Sequence, residues 1–202
     1  MTLEEVVRGI APADQAAMEQ ARRRWDSIAK PLGSLGALED AVVRIAGMTG
    51  SPDVELSPRA VVVMCADNGV VARGVTQTGQ EVTAIVAENM SSGDTSVCAM
   101  ARAANAQVVP VDVGVARPLT GARVVQRNIR RGTADMTLGP AMTRSEAERA
   151  VLVGVEVAQD LCAQGVNLLA TGEMGIGNTT TSSAIAAVLL DRPVEDMTGR
   201  GA

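Results

Sequence analysis

The chain has 202 residues, a formal net charge of −5, 47% apolar and 20% charged residues, enough for a globular protein with a core of its own. It contains no His, no Phe and no Tyr, and Trp25 is the single aromatic residue. These absences exclude a Ser-His-Asp triad, a Cys-His pair, His-containing zinc sites and aromatic platforms for nucleic-acid bases, and the negative charge leaves no footprint for DNA or RNA.

The first 50 residues read as helical. Leu3–Ile10 is a short amphipathic segment stopped by Ala11-Pro12, and Ala13–Ala29 is a second, with Ala17, Ala21, Trp25 and Ile28 at helical spacing. Lys30-Pro31-Leu32-Gly33 breaks it. Ser34 is expected to cap a third helix, Ser34–Ala46, with Leu38, Val42 and Ile45 on its apolar face. Beyond Ser57-Pro58 the pattern changes to strands. Ala60–Cys65 is a continuous apolar run of the kind a parallel strand buried on both faces requires, and it ends in Asp67-Asn68-Gly69. Glu81–Met90 and Thr95–Ala104 read as helices, Val108–Val115 as a second strand ending near Asp112 and Gly114, and Ala122–Ile129 as a weaker strand. Ser145–Ala163 is a long helix with Val151, Val155, Ala158 and Cys162 along one side. Asn167–Thr171 reads as a strand leading into a Gly-rich loop, Gly172–Gly177, and Asn178–Leu190 as the final helix.

Alternating strands and helices imply an α/β fold, a Rossmann-like parallel sheet with helices on both faces, preceded by a small helical unit. The expected division is a helical segment over 1–57 and a nucleotide-binding α/β domain over 58–202. Cys65, Cys98 and Cys162 are odd in number and lie in apolar runs, which reads as reduced core residues in a cytoplasmic protein. No charged-then-apolar leader opens the chain, and no apolar stretch reaches the roughly 18 residues of a membrane span. Small molecules, and neither a membrane nor a nucleic acid, are the expected partners.

Ligands of such sheets collect at the carboxyl ends of the strands, where three polar Gly-containing loops are expected to converge. Gly172-Glu-Met-Gly-Ile-Gly-Asn-Thr-Thr-Thr181 is the strongest motif. Its glycines allow close backbone approach, and the following helix, with Asn178 and Thr179–Thr181 as good capping types, turns free N–H groups into the loop. The implied chemistry is binding of a phosphate or another anion; a tight strand-to-helix turn is the plain alternative. Glu173 is an odd choice in an anion loop and suits hydroxyl binding or orientation of a reacting base. Gly175–Thr180 also approximates a dinucleotide fingerprint, but Thr stands in place of its third Gly. Asp67 and Asp112 fit ligand carboxylates, a metal pair or loop caps, and the Arg22–Arg24 and Arg130-Arg131 runs read as solvated faces.

Several blocks in order resemble one family. They are Lys30-Pro-Leu-Gly-Ser-Leu-Gly-Ala-Leu-Glu39, Ala66-Asp-Asn-Gly-Val-Val-Ala-Arg-Gly-Val75 with Gln80-Glu-Val-Thr83, Val111-Asp-Val-Gly-Val115, Arg131-Gly-Thr-Ala-Asp-Met136, Gly139-Pro-Ala-Met-Thr143 and Gly172–Thr180. The family is nicotinate-nucleotide–dimethylbenzimidazole phosphoribosyltransferase, and the resemblance runs from about Arg24 to Ala202. It implies transfer of phosphoribose from nicotinate mononucleotide to 5,6-dimethylbenzimidazole or a related base, giving α-ribazole phosphate and nicotinate in cobalamin nucleotide-loop assembly. It implies a homodimer working with no cofactor and no metal. Also by resemblance, Gly172, Met174, Gly175, Ile176, Gly177, Asn178, Thr179, Thr180 and Gly201 contact the nucleotide. Asp67, Asn68, Gly69 and Gln80 lie near the base, and Glu173 orients substrate.

Asn68 stands where the family usually has His, and Thr78-Gly79 where it often has Tyr-Pro, so a titratable group and a ring are both lost near the base. The family's general-base glutamate and a phosphate-binding Lys lie beyond Ala202. Residues 1–202 alone are therefore expected to form an incomplete, inactive domain, and a non-catalytic nucleotide-binding paralogue is the alternative reading.

Overall fold

The computed structural model describes residues 1–199, so the expectation placed on Gly201 lies outside the described residues. Two compact units appear, Met1–Leu56 and a larger one from Ser57 onward.

The first unit holds α1 (Leu3–Arg8), α2 (Gln15–Ser27) and α3 (Ala37–Thr49). Thr2 and Glu5 form a capping box for α1, and the Asp14 carboxylate accepts from the Ala17 N–H at 3.0 Å to start α2, satisfying donors that a helix leaves free. Ser34 does not cap α3. Gly36 does so with φ +55° and no side-chain bond, while Glu39 accepts from the Leu35 N–H at 3.0 Å and pairs with Lys30 Nζ at 2.8 Å. That neighbour holds the Glu39 carboxyl below its ordinary range. The α3 face that packs is also rotated from expectation. Val43, Ala46 and Gly47 are buried, Leu38 is exposed, and Val42 and Ile45 are half-buried. Ala21, Val43 and Ala46 make the small core with Met18, Trp25 and Val54 around them.

The second unit is a four-stranded parallel sheet in the order β3-β2-β1-β4, with β1 Arg59–Ala66, β2 Ala106–Gly114, β3 Val125–Gln126 and β4 Leu168–Met174. Successive side chains of a strand point to opposite faces, and β1 obeys this cleanly. Val61, Val63 and Cys65 enter one core with α4 (Glu81–Ser92) and α5 (Ser96–Ala103). Ala60, Val62 and Met64 enter another with α6 (Arg144–Ala163). Helices thus cover both faces, which is why the strands read as unbroken apolar runs.

Several elements depart from expectation. The α6 stripe that packs is Val153, Val157 and Leu161, while Val151 and Cys162 are exposed, so Cys162 is not a core residue. Strand β4 continues through Gly172-Glu173-Met174, paired with Val63, Met64 and Cys65, where a loop was expected. Helix α7 (Asn178–Leu189) is followed by a further short helix, α8 (Val194–Met197).

Candidate functional site

The parallel register brings Ala66, Gly114 and Met174, the carboxyl ends of β1, β2 and β4, to one end of the sheet. An open cleft of about 1160 Å³ lies there, lined by Gly74–Thr78, Glu173–Thr180, Ser182, Ser183, Thr198 and Gly199. Its wall is rich in hydroxyls and backbone, and Glu173 is its one charged group among the described residues. The Glu173 side chain projects from β4, is exposed, and makes no hydrogen bond or ion pair among the described residues.

Gly177, not Asn178 or a threonine, is the N-cap of α7. It has φ +82°, in the left-handed region glycine tolerates, and no side chain caps the helix. The Asn178 N–H bonds back to the Gly175 carbonyl at 3.0 Å and Thr181 N–H to Gly177 at 3.3 Å. The N–H groups of Thr179 and Thr180 belong to the first turn, whose donors have no partner within a helix, and both residues line the cleft. An uncapped first turn at a cleft suits an anion.

Of the residues expected at the site, Glu173 through Thr180 lie along this one cleft. Gly172, Asp67, Asn68, Gly69 and Gln80 do not line it. Asn68 is engaged by the chain itself: Nδ2 donates to the Ile176 carbonyl at 3.1 Å, Oδ1 accepts from Thr181 Oγ1 at 3.0 Å, and its carbonyl accepts from Gln80 Nε2 at 2.8 Å. Asp67 is 2% exposed. Its Oδ2 accepts from the Ala116 N–H at 2.8 Å, while Oδ1 is buried with no hydrogen-bond partner. Gly69 N–H donates to Thr133 Oγ1 at 3.0 Å, and Thr133 N–H to the Asp67 carbonyl at 3.0 Å. The Arg131–Met136 block is therefore a buttress of the β1 exit. The sequence pointed to Thr78 only as a departure from the family's pattern near the base, and did not point to residues 74–77, Ser182, Ser183 or Thr198 as site residues. Gly74 and Val75 belong to a motif shared with the family, whereas Thr76, Gln77, Ser182, Ser183 and Thr198 carry no signal beyond being small or polar.

Asp112 fits one of its three sequence-based roles. It is fully buried, and Oδ1 accepts from the Val115 N–H at 2.9 Å and Asn128 Nδ2 at 2.7 Å, while Arg131 Nη1 lies 3.4 Å from Oδ2. It closes a turn. Among the described residues no three His, Cys, Asp or Glu side chains gather as a metal site. Arg130 and Arg131 are not simply solvated. Arg130 Nη1 bonds the Ala141 carbonyl and Glu146 at 3.3 Å each, and Arg131 Nη1 also reaches the Val115 carbonyl at 3.1 Å. The Cys65 thiol is pushed up to about 12 by burial, which keeps it a neutral core group. Gly175 earns its place by packing: a Cβ there would strike the Ala66 carbonyl, so the strand, not an anion, forbids a side chain. A separate cavity of about 460 Å³ within the helical unit is lined by Trp25, Ile28, Val42 and Val54 with Arg24, Asp53 and Glu55, and no glycine lies on its wall.

A family model described as phosphoribosyltransferase matches residues 10–202. The chain is 45% identical over 198 residues to the nicotinate-nucleotide–dimethylbenzimidazole phosphoribosyltransferase of Acetivibrio thermocellus, covering 98% of this chain and 56% of that protein. It is 46% identical over 202 residues to the protein of the same name from Ruminiclostridium cellulolyticum, covering 100% of this chain and 57% of that one. The crystal structure of CobT from Thermus thermophilus superposes with a TM-score of 0.87 at 45% identity, over 92% of this chain and 56% of the other. The chain thus spans a little over half the length of the relatives it matches.

Proposed function

The chain belongs to the phosphoribosyltransferase family whose matched relatives are named for nicotinate mononucleotide and dimethylbenzimidazole, and on that premise we propose that its cleft binds nicotinate mononucleotide for phosphoribosyl transfer. The observation that carries this is the uncapped first turn of α7 beside the unpaired Glu173 carboxylate, at the carboxyl ends of parallel strands. The Thr179 and Thr180 N–H groups hold the 5′-phosphate, and the surrounding hydroxyls replace its water. Glu173 accepts hydrogen bonds from ribose hydroxyls and so fixes the sugar face.

In the transfer, a nitrogen lone pair of the benzimidazole attacks ribose C1′ from the face opposite nicotinate. The bond from C1′ to the pyridinium nitrogen breaks, and its electron pair returns to the ring, releasing nicotinate. The N–H proton of the azolium so formed leaves for a carboxylate, which returns the benzimidazole ring of the α-ribotide to neutrality. The cleft contributes mainly by holding the two reactants in line, a contribution that can reach several kcal/mol. In this reading Glu173 positions substrate and is not the acceptor of that proton. The reading includes a cytoplasmic homodimer. Buried thiols at Cys65 and Cys98 fit a reducing compartment, and no helix among the described residues is long and apolar enough to cross a membrane.

The test is isothermal titration of nicotinate mononucleotide into the chain, with nicotinate release on addition of dimethylbenzimidazole measured in the complete gene product. Saturable one-site binding and base-dependent release are expected. Absence of both overturns the proposal.

A further inference from the structure

The Ile176 peptide, at the centre of the Gly175-Ile-Gly177 loop, is held at both of its polar groups by side chains from distant sequence. Its N–H donates to Thr83 Oγ1 at 3.0 Å, and its carbonyl accepts from Asn68 Nδ2 at 3.1 Å. Thr83 is fully buried on α4, one turn from Gln80, which itself bonds the Asn68 carbonyl at 2.8 Å. Asn68 also accepts from Thr181 Oγ1 in the first turn of α7. Gly175 lies directly on the Ala66 carbonyl, so the loop is pressed onto β1 from one side and gripped at its next peptide from the other.

Resting on the functional reading above, we propose that Thr83 and Asn68 are positioning residues, a clamp on the Ile176 peptide that sets where the first turn of α7 meets the nucleotide. Neither side chain lines the cleft, so each acts through the loop. A buried hydroxyl accepting a peptide N–H is costly to remove, because the N–H is left without a partner. A loop of Gly-Ile-Gly has little stiffness of its own and takes its geometry from what holds it. Asparagine meets the need at position 68 because its amide donates and accepts at once, one end to the Ile176 carbonyl and the other to Thr181.

The experiment compares Thr83→Val, Thr83→Ser and Asn68→Ala with the unaltered chain, reading amide hydrogen exchange at Ile176 and the Kd for nicotinate mononucleotide. Thr83→Val is expected to speed exchange at the Ile176 amide and to weaken binding about tenfold, with Thr83→Ser restoring both. Asn68→Ala, which leaves the N–H bond in place, is expected to weaken binding similarly and carries the test if Thr83→Val does not fold. Unchanged exchange in Thr83→Val overturns the clamp, and so does fast exchange with unchanged Kd. If the unaltered chain does not bind the nucleotide, the functional reading fails by itself, and the exchange comparison alone then decides whether the clamp exists.

Discussion

Two strand ends of the same sheet carry an acidic residue near a glycine, Asp112 fully buried and Glu173 exposed, and they are built for opposite purposes. At the end of β2, Asp112 has its carboxylate taken up by the Val115 N–H, Asn128 and Arg131, and the turn closes on itself. At the end of β4, Glu173 has no partner among the described residues and the first turn of α7 has no side-chain cap. A polar, Gly-containing strand end is therefore not a site by composition. What separates the two is whether the polar groups are already engaged by the chain: those at β2 are taken up in the turn, while the Glu173 carboxylate and the first-turn N–H groups of α7 face the cleft and are open to a ligand.

The difference is sharpest in stability, and the largest effect is expected at β2. Asp112→Ala removes the acceptor for a buried N–H and for the Asn128 amide, and leaves Arg131 without its carboxylate. The expected loss is about 3 kcal/mol, the scale for breaking a buried hydrogen-bonded network. Urea unfolding measures it directly. A loss under about 0.5 kcal/mol would place Asp112 with Glu173 and erase the contrast.

A middle-sized effect is expected from the segment that follows β2. Glu88 on α4 accepts from Arg117 Nη1 at 3.0 Å and Nη2 at 2.8 Å, and from the Thr120 N–H at 3.1 Å. The Arg117 guanidinium, with the Thr120 N–H, holds the Glu88 carboxyl down to about 2 against an ordinary 4.5. A carboxyl lowered on folding stabilises the fold above its ordinary pKa, and that contribution is lost as pH falls toward the folded value. The window thus runs from about 4.5 down to about 2. The Tm of the unaltered chain should fall more steeply from pH 5 to pH 3 than that of Glu88→Gln, and parallel curves would show that the pair is not tighter in the fold. The pair is partly exposed and screened by solvent, so the difference is expected to be small beside that of Asp112.

How much of this contrast is legible in sequence follows from the same physics. The apolar runs that become β1 and β2 are visible because both faces of a parallel strand are covered, whatever covers them. The face of α6 is not visible. Val151, Val153, Val155 and Val157 offer two apolar phases, and the sheet selects the one running through Val153, Val157 and Leu161. The extension of β4 through Gly172-Glu173-Met174 hides behind glycine, which reads as loop until a neighbouring strand supplies its bonds. The motif at Gly172–Thr180 is legible as a cleft-forming loop, but its support is not. Thr83 and Asn68 are ordinary residues until Ile176 is set between them, and Thr76–Thr78 and Thr198 meet Glu173 only through the fold.

The smallest stability effect, and the most telling, belongs to Glu173. Because its carboxylate is exposed and has no partner among the described residues, Glu173→Gln should change the unfolding free energy by less than about 0.5 kcal/mol. Its consequence lies in turnover. Gln keeps the size and can still accept from one ribose hydroxyl, but it loses the charge that strengthens that hydrogen bond, so kcat/KM of the complete gene product should fall by about tenfold or more. The shape of the pH–rate profile should not change, since an orienting carboxylate contributes no ionisation that the chemistry needs. Loss of the acid limb of that profile in Glu173→Gln would show that the proton of the azole goes to Glu173 itself. The unpaired strand end would then be both the binding site and the seat of the base, and the contrast with Asp112 would widen from satisfied against unsatisfied to structural against catalytic.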